Sequence, residues 1–336
     1  MPLEVYIMAE NKRKLILDVD TGSDDALAIM CALLSPEFEV LGICSVNGNR
    51  PLPNTTENTL RVVELLGSNV PVIRGCATPL TATIDKTRAM RMRPTEAVDE
   101  NGEKIAYHAE YLALPPATIK PLEGTNAVSW YIDTLMKLED KVTLVLVGPL
   151  TNFALAMRAE PAILEKVEEI VIMGGGHDQR NSTAASEFNI FIDPEAAAIV
   201  FESGVKITLM PLDATHRANL RPKHRDLFAS WGNAVGDFVA TEIEDRLVSY
   251  NTLQPLHEPD IAPIHDALCI AYLLDPTVIT DMRHMRCDIV CGGIADGQTL
   301  FDTRHFNDAP KNAYVCFNTD EEKFADMLVD ILSRAK

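Results

Sequence analysis

The sequence predicts an α/β fold: a single domain in which a mostly parallel, mixed sheet is flanked by helices. Three observations carry that expectation. Short apolar runs rich in β-branched residues alternate with segments of helical periodicity along most of the chain, the order that gives a parallel sheet with crossover helices. Several of those runs are continuously apolar ("KLILDVD", "VTLVLVG", "EEIVIMG"), as suits strands covered on both faces. The 336 residues are 47 % hydrophobic with a mean hydropathy of +0.02, enough to bury a large core. No internal repeat or low-complexity linker divides them, so residues 1–336 read as one domain.

In order along the chain, "KLILDVD" is the first buried strand, and "DDALAIMCALLS" is the helix after it, with Ser23 or Asp24 near its N-cap. "FEVLGICSVNGN" is a second strand that ends in Asn47-Gly48-Asn49, and "TTENTLRVVELLG" is a helix stopped by Gly67. "VPVIRG" is a short strand, "AVSWYIDTLMKLE" a helix and "VTLVLVGPLTN" a strongly buried strand leading to the helix "FALAMRAEP". "EEIVIMGGG" is a strand with a glycine turn. "DPEAAAIVFESG" is a helix capped by Asp193, with Pro194 at its first position and Gly204 as its stop. "VKITLMPLD" is a strand, and "PIHDALCIAYLLDP" opens a further helix. Residues of about 80 to 125, rich in Thr, Arg, Met, Glu and Pro, read as a long loop or insertion. Roughly the first 13 residues read as an N-terminal extension with no apolar h-region.

Charge narrows the partners. Lys plus Arg number 30 against 49 Asp plus Glu, a formal charge of −19. That argues against nucleic acid or an anionic membrane as partner and is compatible with a metal or a neutral small molecule. Seven cysteines, odd in number and set in apolar surroundings, suggest free thiols in a reducing compartment. Cys287 and Cys291 have no further Cys or His pair nearby to complete a zinc site. No apolar run reaches membrane-spanning length, and the expected compartment is the cytoplasm.

One seam concentrates charge. Asp18, Asp20, Asp24 and Asp25 fall within eight positions, between a buried strand and a buried helix. Like charges so close repel unless a cation, protons or solvent relieve them. In open parallel sheets ligands bind beyond the carboxyl ends of the strands. Other polar residues end up there too: Asn47, Asp213 with Thr215, and the 174–176 glycines leading to Asn181, Glu187 and Asn189. Asp18 on its own reads as a solvated turn residue or a helix cap. Three chemistries compete for the set. An aspartate-nucleophile phosphatase would use Asp18 and Asp20, but it wants Thr or Val where Gly22 stands. A non-catalytic calcium-binding loop starting at Asp18 would need Gly at its sixth position and Glu at its twelfth, where Ser23 and Ile29 stand. A hydrolase could hold Ca²⁺ through hard oxygen ligands and use it to position a diol and a water.

The third reading has a family likeness. "DVDTGSDDALAI" resembles the fingerprint of the inosine–uridine-preferring nucleoside hydrolases, and the resemblance continues in order through "GICSVNGN", "LVGPLTNFALAM", "IVIMGGG", "SEFNIFIDPEAA", "LDATH" and "IHDALCIAYLLDP". It implies a Rossmann-like nucleoside hydrolase fold, one catalytic Ca²⁺, no organic cofactor, and hydrolysis of ribonucleosides to ribose and free base. Family members commonly assemble as homodimers or homotetramers.

The resemblance also implies roles. Asp20, Asp25 and Asp266 match the carboxylate metal ligands, and Val147 matches the residue whose backbone carbonyl joins them. Asp20 matches the general base. Asp24 and Asn189 match groups that bind the 2′- and 3′-hydroxyls, while Asn181 and Glu187 match those for the 5′-hydroxyl. Asn47 matches the residue beside water and sugar, Met173 lines the sugar pocket, and His265 matches the histidine of leaving-group protonation. Taken singly these residues have plainer readings: Asn181 in a loop, Glu187 as a surface charge, Asn189 as a turn former, Met173 in the core, His265 at a helix start. Their spacing after "IMGGG" and within "IHDALC" favours the functional ones. Three carboxylates, a carbonyl, a water and a diol would fill a calcium shell of six to eight oxygens. One departure stands out: "IAYHAEYLALPP" occupies the place of the family's "HG-x-x-G-L" loop. His108 is its candidate counterpart toward the base, against the plainer reading of a loop histidine. A histidine rather than an aromatic residue at 265 points to the base-inclusive or pyrimidine-preferring branch.

Overall fold

A computed structural model describes residues 12–81, 84, 85, 88, 96–98, 102, 104–304 and 308–335. Most of the expected N-terminal extension lies outside the described residues. The chain opens with β1 (Arg13–Val19), α1 (Ser23–Leu34), β2 (Phe38–Ser45), α2 (Leu52–Leu65) and β3 (Val72–Arg74). A short hairpin, β4 (Glu96–Val98) and β5 (Lys104–Ala106), precedes α3 (Ala127–Lys137), β6 (Val142–Leu146), α4 (Thr151–Ala159) and β7 (Val167–Met173). Then come α5 (Phe188–Ile192), α6 (Pro194–Phe201), β8 (Ile207–Met210), α7 (Leu212–Thr215), β9 (Asn219–Leu220), α8 (Pro222–Ala229) and α9 (Ala234–Leu253). The chain finishes with β10 (Ala262–Pro263), α10 (Ala267–Leu274), β11 (Ile279–Met285), β12 (Cys287–Ile289), β13 (Thr299–Phe301), β14 (Ala313–Thr319) and α11 (Glu321–Ser333).

Eight strands form the central sheet in the order β11-β14-β8-β7-β6-β1-β2-β3. All neighbours are parallel except β11 and β14, so the sheet is mixed at one edge. The strand order reverses at β1: β2 and β3 lie to one side, and β6, β7 and β8 to the other. This reversal opens a crevice at the carboxyl ends of β1 and β6. Side chains of β1 alternate between the two faces. Leu15, Leu17 and Val19 join the core under α1, α9, α10 and α11, and Ile16 joins the core under α3, α4 and α6.

Local chemistry sets most boundaries as the sequence predicts. Asp193 Oδ1 accepts from Ala196 N at 3.1 Å ahead of Pro194, and Gly67 takes φ +59° just past α2. Two expectations shift. α2 begins at Leu52, three residues earlier than its apolar pattern suggests, and the residue before α1 is Gly22. The described part of residues 80–125 is not loop alone, since it contains the β4–β5 hairpin. Residues 217–262 and 279–336, to which the sequence reading assigns no element, carry α8, the 20-residue α9, the antiparallel edge of the sheet and α11. All seven cysteines are free, and five of them are buried. Among the described residues, no helix is long and apolar enough to cross a membrane.

Candidate active site

β1 runs out at Val19, which places Asp20 at the switch point. The first turn of α1 carries Asp24 and Asp25, and Asp266 directly precedes α10. One carboxylate oxygen each from Asp24, Asp25 and Asp266 lies within 4.8 Å of the others. Asp25 braces the turn, accepting from Asp20 N at 3.0 Å and from Gly22 N at 2.9 Å. Asn49 ties the cluster from the side: its N–H reaches Asp20 Oδ2 at 2.6 Å, and its amide reaches Asp25 Oδ2 at 3.2 Å. A side chain at Gly48 would overlap Asp20 Oδ2, so only glycine lets this loop approach.

These carboxylates are under electrostatic pressure. Burial, then the charge of Asp24, pushes Asp25 up to about 7. Burial, then Asp25, raises Asp20 well above the usual carboxylate range, and burial, then Asp24, does the same to Asp266. Asp20 Oδ1 is buried and has no hydrogen-bond partner among the described residues. An unpartnered carboxylate oxygen beside three crowded acids fits a hard cation, whose charge would offset both the repulsion and the desolvation. The residues able to hold one are Asp20, Asp24, Asp25 and Asp266, with the Val147 carbonyl just beyond β6. The mutually close trio includes Asp24 where the family likeness implies Asp20.

Beside the acids lies a cavity. Val147, Met173, Asn181, Glu187 and Asn189 line one part of it. Glu187 is the N-cap of α5, its carboxylate accepting from Gly175 N (2.8 Å), Asn189 N (2.9 Å) and Ile190 N (3.2 Å). It is 2 % exposed, which rules out a surface charge. Burial pushes it up to about 7 despite those three donors. Asn181 Oδ1 accepts from Phe188 N at 2.9 Å. Asn189 Nδ2 donates to Val147 O at 2.7 Å and reaches Met173 O at 3.3 Å. The "E-F-N" spacing thus works as local scaffolding for the loop that follows β7.

The rest of the lining comes from α9, α10 and the chain after β5. His265 is gripped at both ring nitrogens, Nε2 by Tyr250 Oη at 2.5 Å and Nδ1 by Thr215 Oγ1 at 2.7 Å. Tyr107 meets Tyr250 edge to face, with centroids 6.2 Å apart. His108 Nδ1 lies 3.3 Å from Ser23 N and 4.0 Å from Asp24 Oδ1, and its carbonyl accepts from Arg50. Any side chain at Gly22 would collide with the His108 ring.

Two expectations are corrected. Asp18 is neither a solvated turn residue nor a cap. It is 3 % exposed inside β1, bonded to Tyr131 Oη and Asn152 Nδ2 at 3.0 Å each, and burial pushes it to about 7. A phosphatase that attacks through Asp18 is therefore not favoured. Asn47, expected beside the water, is not in the cavity lining among the described residues; Asn49 is. Arg246, Tyr250, Tyr107 and Asn49 were not anticipated. The signal for the α9 pair was their spacing of four, which puts both on one helix face, but which face meets the site depends on tertiary packing.

The sequence matches the profile described as "Inosine-uridine preferring nucleoside hydrolase" over residues 15–326. It is 39 % identical over 320 residues to the pyrimidine-specific ribonucleoside hydrolase RihB of Escherichia coli, covering 93 % of this chain and 95 % of that protein. The fold superposes on a purine-preferring ribonucleoside hydrolase from Gardnerella vaginalis with a TM-score of 0.82 and 31 % identity, over 96 % of this chain and 99 % of that one. A plant nucleoside hydrolase gives 0.82 at 27 % identity, over 95 % and 98 %. Fold, site and relatives define the class: the protein is an N-glycosyl hydrolase. Within that class, it belongs to the inosine–uridine preferring nucleoside hydrolase family.

Proposed function

We propose that the protein hydrolyses the N-glycosidic bond of ribonucleosides to ribose and free base, with Ca²⁺ as its metal and pyrimidine ribonucleosides as preferred substrates. The observation that carries this reading is the cluster of buried carboxylates with the orphaned Asp20 Oδ1, set beside a cavity that holds His265. Asp20, Asp25, Asp266 and the Val147 carbonyl would hold the ion. When bound, Ca²⁺ supplies Lewis acidity that favours ionisation of water and orients the sugar diol.

The chain's own groups do the rest. Asp20 takes the proton of the attacking water. Asp24 and Asn189 receive the 2′- and 3′-hydroxyls, Asn181 and Glu187 receive the 5′-hydroxyl, and Met173 forms the wall against the sugar. Asn49, rather than Asn47, stands beside the water. As the bond to the base stretches, the sugar gains oxocarbenium character, which the surrounding carboxylates stabilise. His265 supplies the proton for the departing base by way of the Tyr250 hydroxyl, which bonds Nε2 and lines the cavity, while Thr215 holds Nδ1. Tyr107 and His108 face the base from the segment after β5.

The pyrimidine preference is supported by the 39 % identity to RihB and by the histidine at 265. The purine-preferring relative is the competing guide. Ribose release from inosine, adenosine, guanosine, uridine and cytidine with added Ca²⁺ tests both. The highest kcat/KM should fall on uridine or cytidine. A purine optimum would overturn the preference, and no ribose from any of the five would overturn the activity.

A further inference from the structure

We propose that Arg246 is a positioning residue that divides the acidic cluster: its guanidinium reserves Asp24 for the substrate's sugar hydroxyls and leaves the cation to Asp20, Asp25 and Asp266. The second half, Asp24's service to the sugar, rests on the function proposed above. The first half stands on geometry.

Arg246 is 2 % exposed. Its Nη1 lies 3.1 Å from Asp24 Oδ1 and its Nη2 lies 3.3 Å from Asp24 Oδ2, a fork meeting a fork. Nη1 also donates to Ser23 Oγ at 2.8 Å, and Nε donates to the Pro263 carbonyl at 2.5 Å. Tyr250, one turn further along α9, lies beneath the guanidinium at 5.3 Å. These contacts join α9 to the first turn of α1, which carries Asp24 and Asp25, and to β10, three residues before Asp266.

Asp24 is close enough to Asp25 and Asp266 to serve as a cation ligand. Both of its oxygens, however, already face a fixed positive charge about 3 Å away. A second cation on those oxygens would sit within a few ångströms of the guanidinium in a poorly screened interior, where like charges repel strongly. Asp20 Oδ1 has no such partner among the described residues. A carboxylate oxygen accepts more than one hydrogen bond, so Asp24 keeps acceptor capacity for hydroxyl donors. The Arg246 charge also reaches Asp266, but among the described residues Asp24 is the carboxylate of the cluster that the guanidinium holds by hydrogen bonds. A buried ion pair is weak evidence for stability, because well-packed apolar residues often replace one without loss. Its position between two sets of carboxylates gives this pair a different use.

The test is calorimetric titration of the full chain, stripped by a chelator, with Ca²⁺ alone. It is paired with uridine kinetics at saturating Ca²⁺. Arg246→Met removes the charge and frees Asp24, so Ca²⁺ should bind tighter by on the order of tenfold or more, while kcat/KM for uridine falls. Arg246→Gln, which can still donate a hydrogen bond, should show the same sign if the methionine variant folds poorly. Arg246→Lys keeps the charge but loses the fork. Its Ca²⁺ affinity should stay near that of the natural protein while KM for uridine rises. In Asp24→Asn/Arg246→Met the tightening should vanish. A merely structural Arg246 would give weaker or unchanged Ca²⁺ binding in the neutral variants, and that result overturns the proposal. Equal tightening with and without Asp24 overturns it as well. If Asp24→Asn leaves the uridine KM unchanged while Arg246→Met still tightens Ca²⁺, the sugar role of Asp24 fails and the division of the cluster stands.

Discussion

Replacing Glu242 by glutamine should stabilise the protein, and by an amount that grows with pH. Glu242 lies on α9 and is 4 % exposed. Burial, then the charge of Asp245, pushes it from 4.5 to about 8, against the lowering effect of Arg246. In the unfolded chain the same acid ionises at about 4.5. Folding therefore takes up a proton between pH 4.5 and 8, and the stability associated with Glu242, full below 4.5, is lost as pH rises through that window. Each pH unit is worth about 1.4 kcal/mol, so the natural protein gives up about 3 kcal/mol by pH 7. Glutamine approximates the shape of the protonated acid but has nothing to ionise. Denaturant unfolding at fixed, saturating Ca²⁺ should find the two proteins within about 1 kcal/mol at pH 4.5, with Glu242→Gln ahead by about 3 kcal/mol at pH 7. Activity on uridine should be unchanged, since the Arg246–Asp24 pair stays intact. A gain no larger at pH 8 than at pH 4.5 would refute the reasoning and mean that Glu242 is ionised in the fold with Arg246 as its counter-charge.

Two further outcomes follow from the site. Exhaustive chelation should abolish ribose release and lower the Tm, and added Ca²⁺ should restore both; full activity in a preparation shown to be metal-free would sink the metal assignment. Asp20→Asn and His265→Ala should each lose about 10²–10⁴-fold on uridine. On p-nitrophenyl riboside, whose phenolate leaves without a proton, only the His265 variant should recover, and equal damage on both substrates would make His265 structural.

The fold was legible where one local signal decided it. Continuous apolar runs gave β1, β6 and β7, and Asp193-Pro194 and Gly67 gave helix ends, because strand burial, proline at a helix start and left-handed glycine are local properties. α9 and the antiparallel edge were not legible. In α9 the buried face mixes Phe238, Val239 and Ile243 with Glu242 and Arg246, so its polarity does not separate cleanly by face. β11 is an edge strand with mostly exposed or half-buried side chains, and it lacks the continuous apolar signature of the inner strands.

The acidic seam of the site was visible because four aspartates in eight positions break a local rule and need a local reason. Which oxygen serves which partner was not visible, because that depends on groups far away in the chain. Arg246 reaches Asp24 across 222 positions, and Tyr131 and Asn152 reach Asp18 across 113 and 134. Asp18 and Asp24 look alike in the sequence, yet neutral donors hold the first inside the sheet while a buried cation grips the second. Each of these long-range partners takes one aspartate out of contention for the cation. Asp20, left with an unpartnered oxygen, and Asp25, bonded to backbone N–H groups and to the Asn49 amide, remain available beside Asp266. The local sequence assembles the charge, and the remote residues of α3, α4 and α9 sort it.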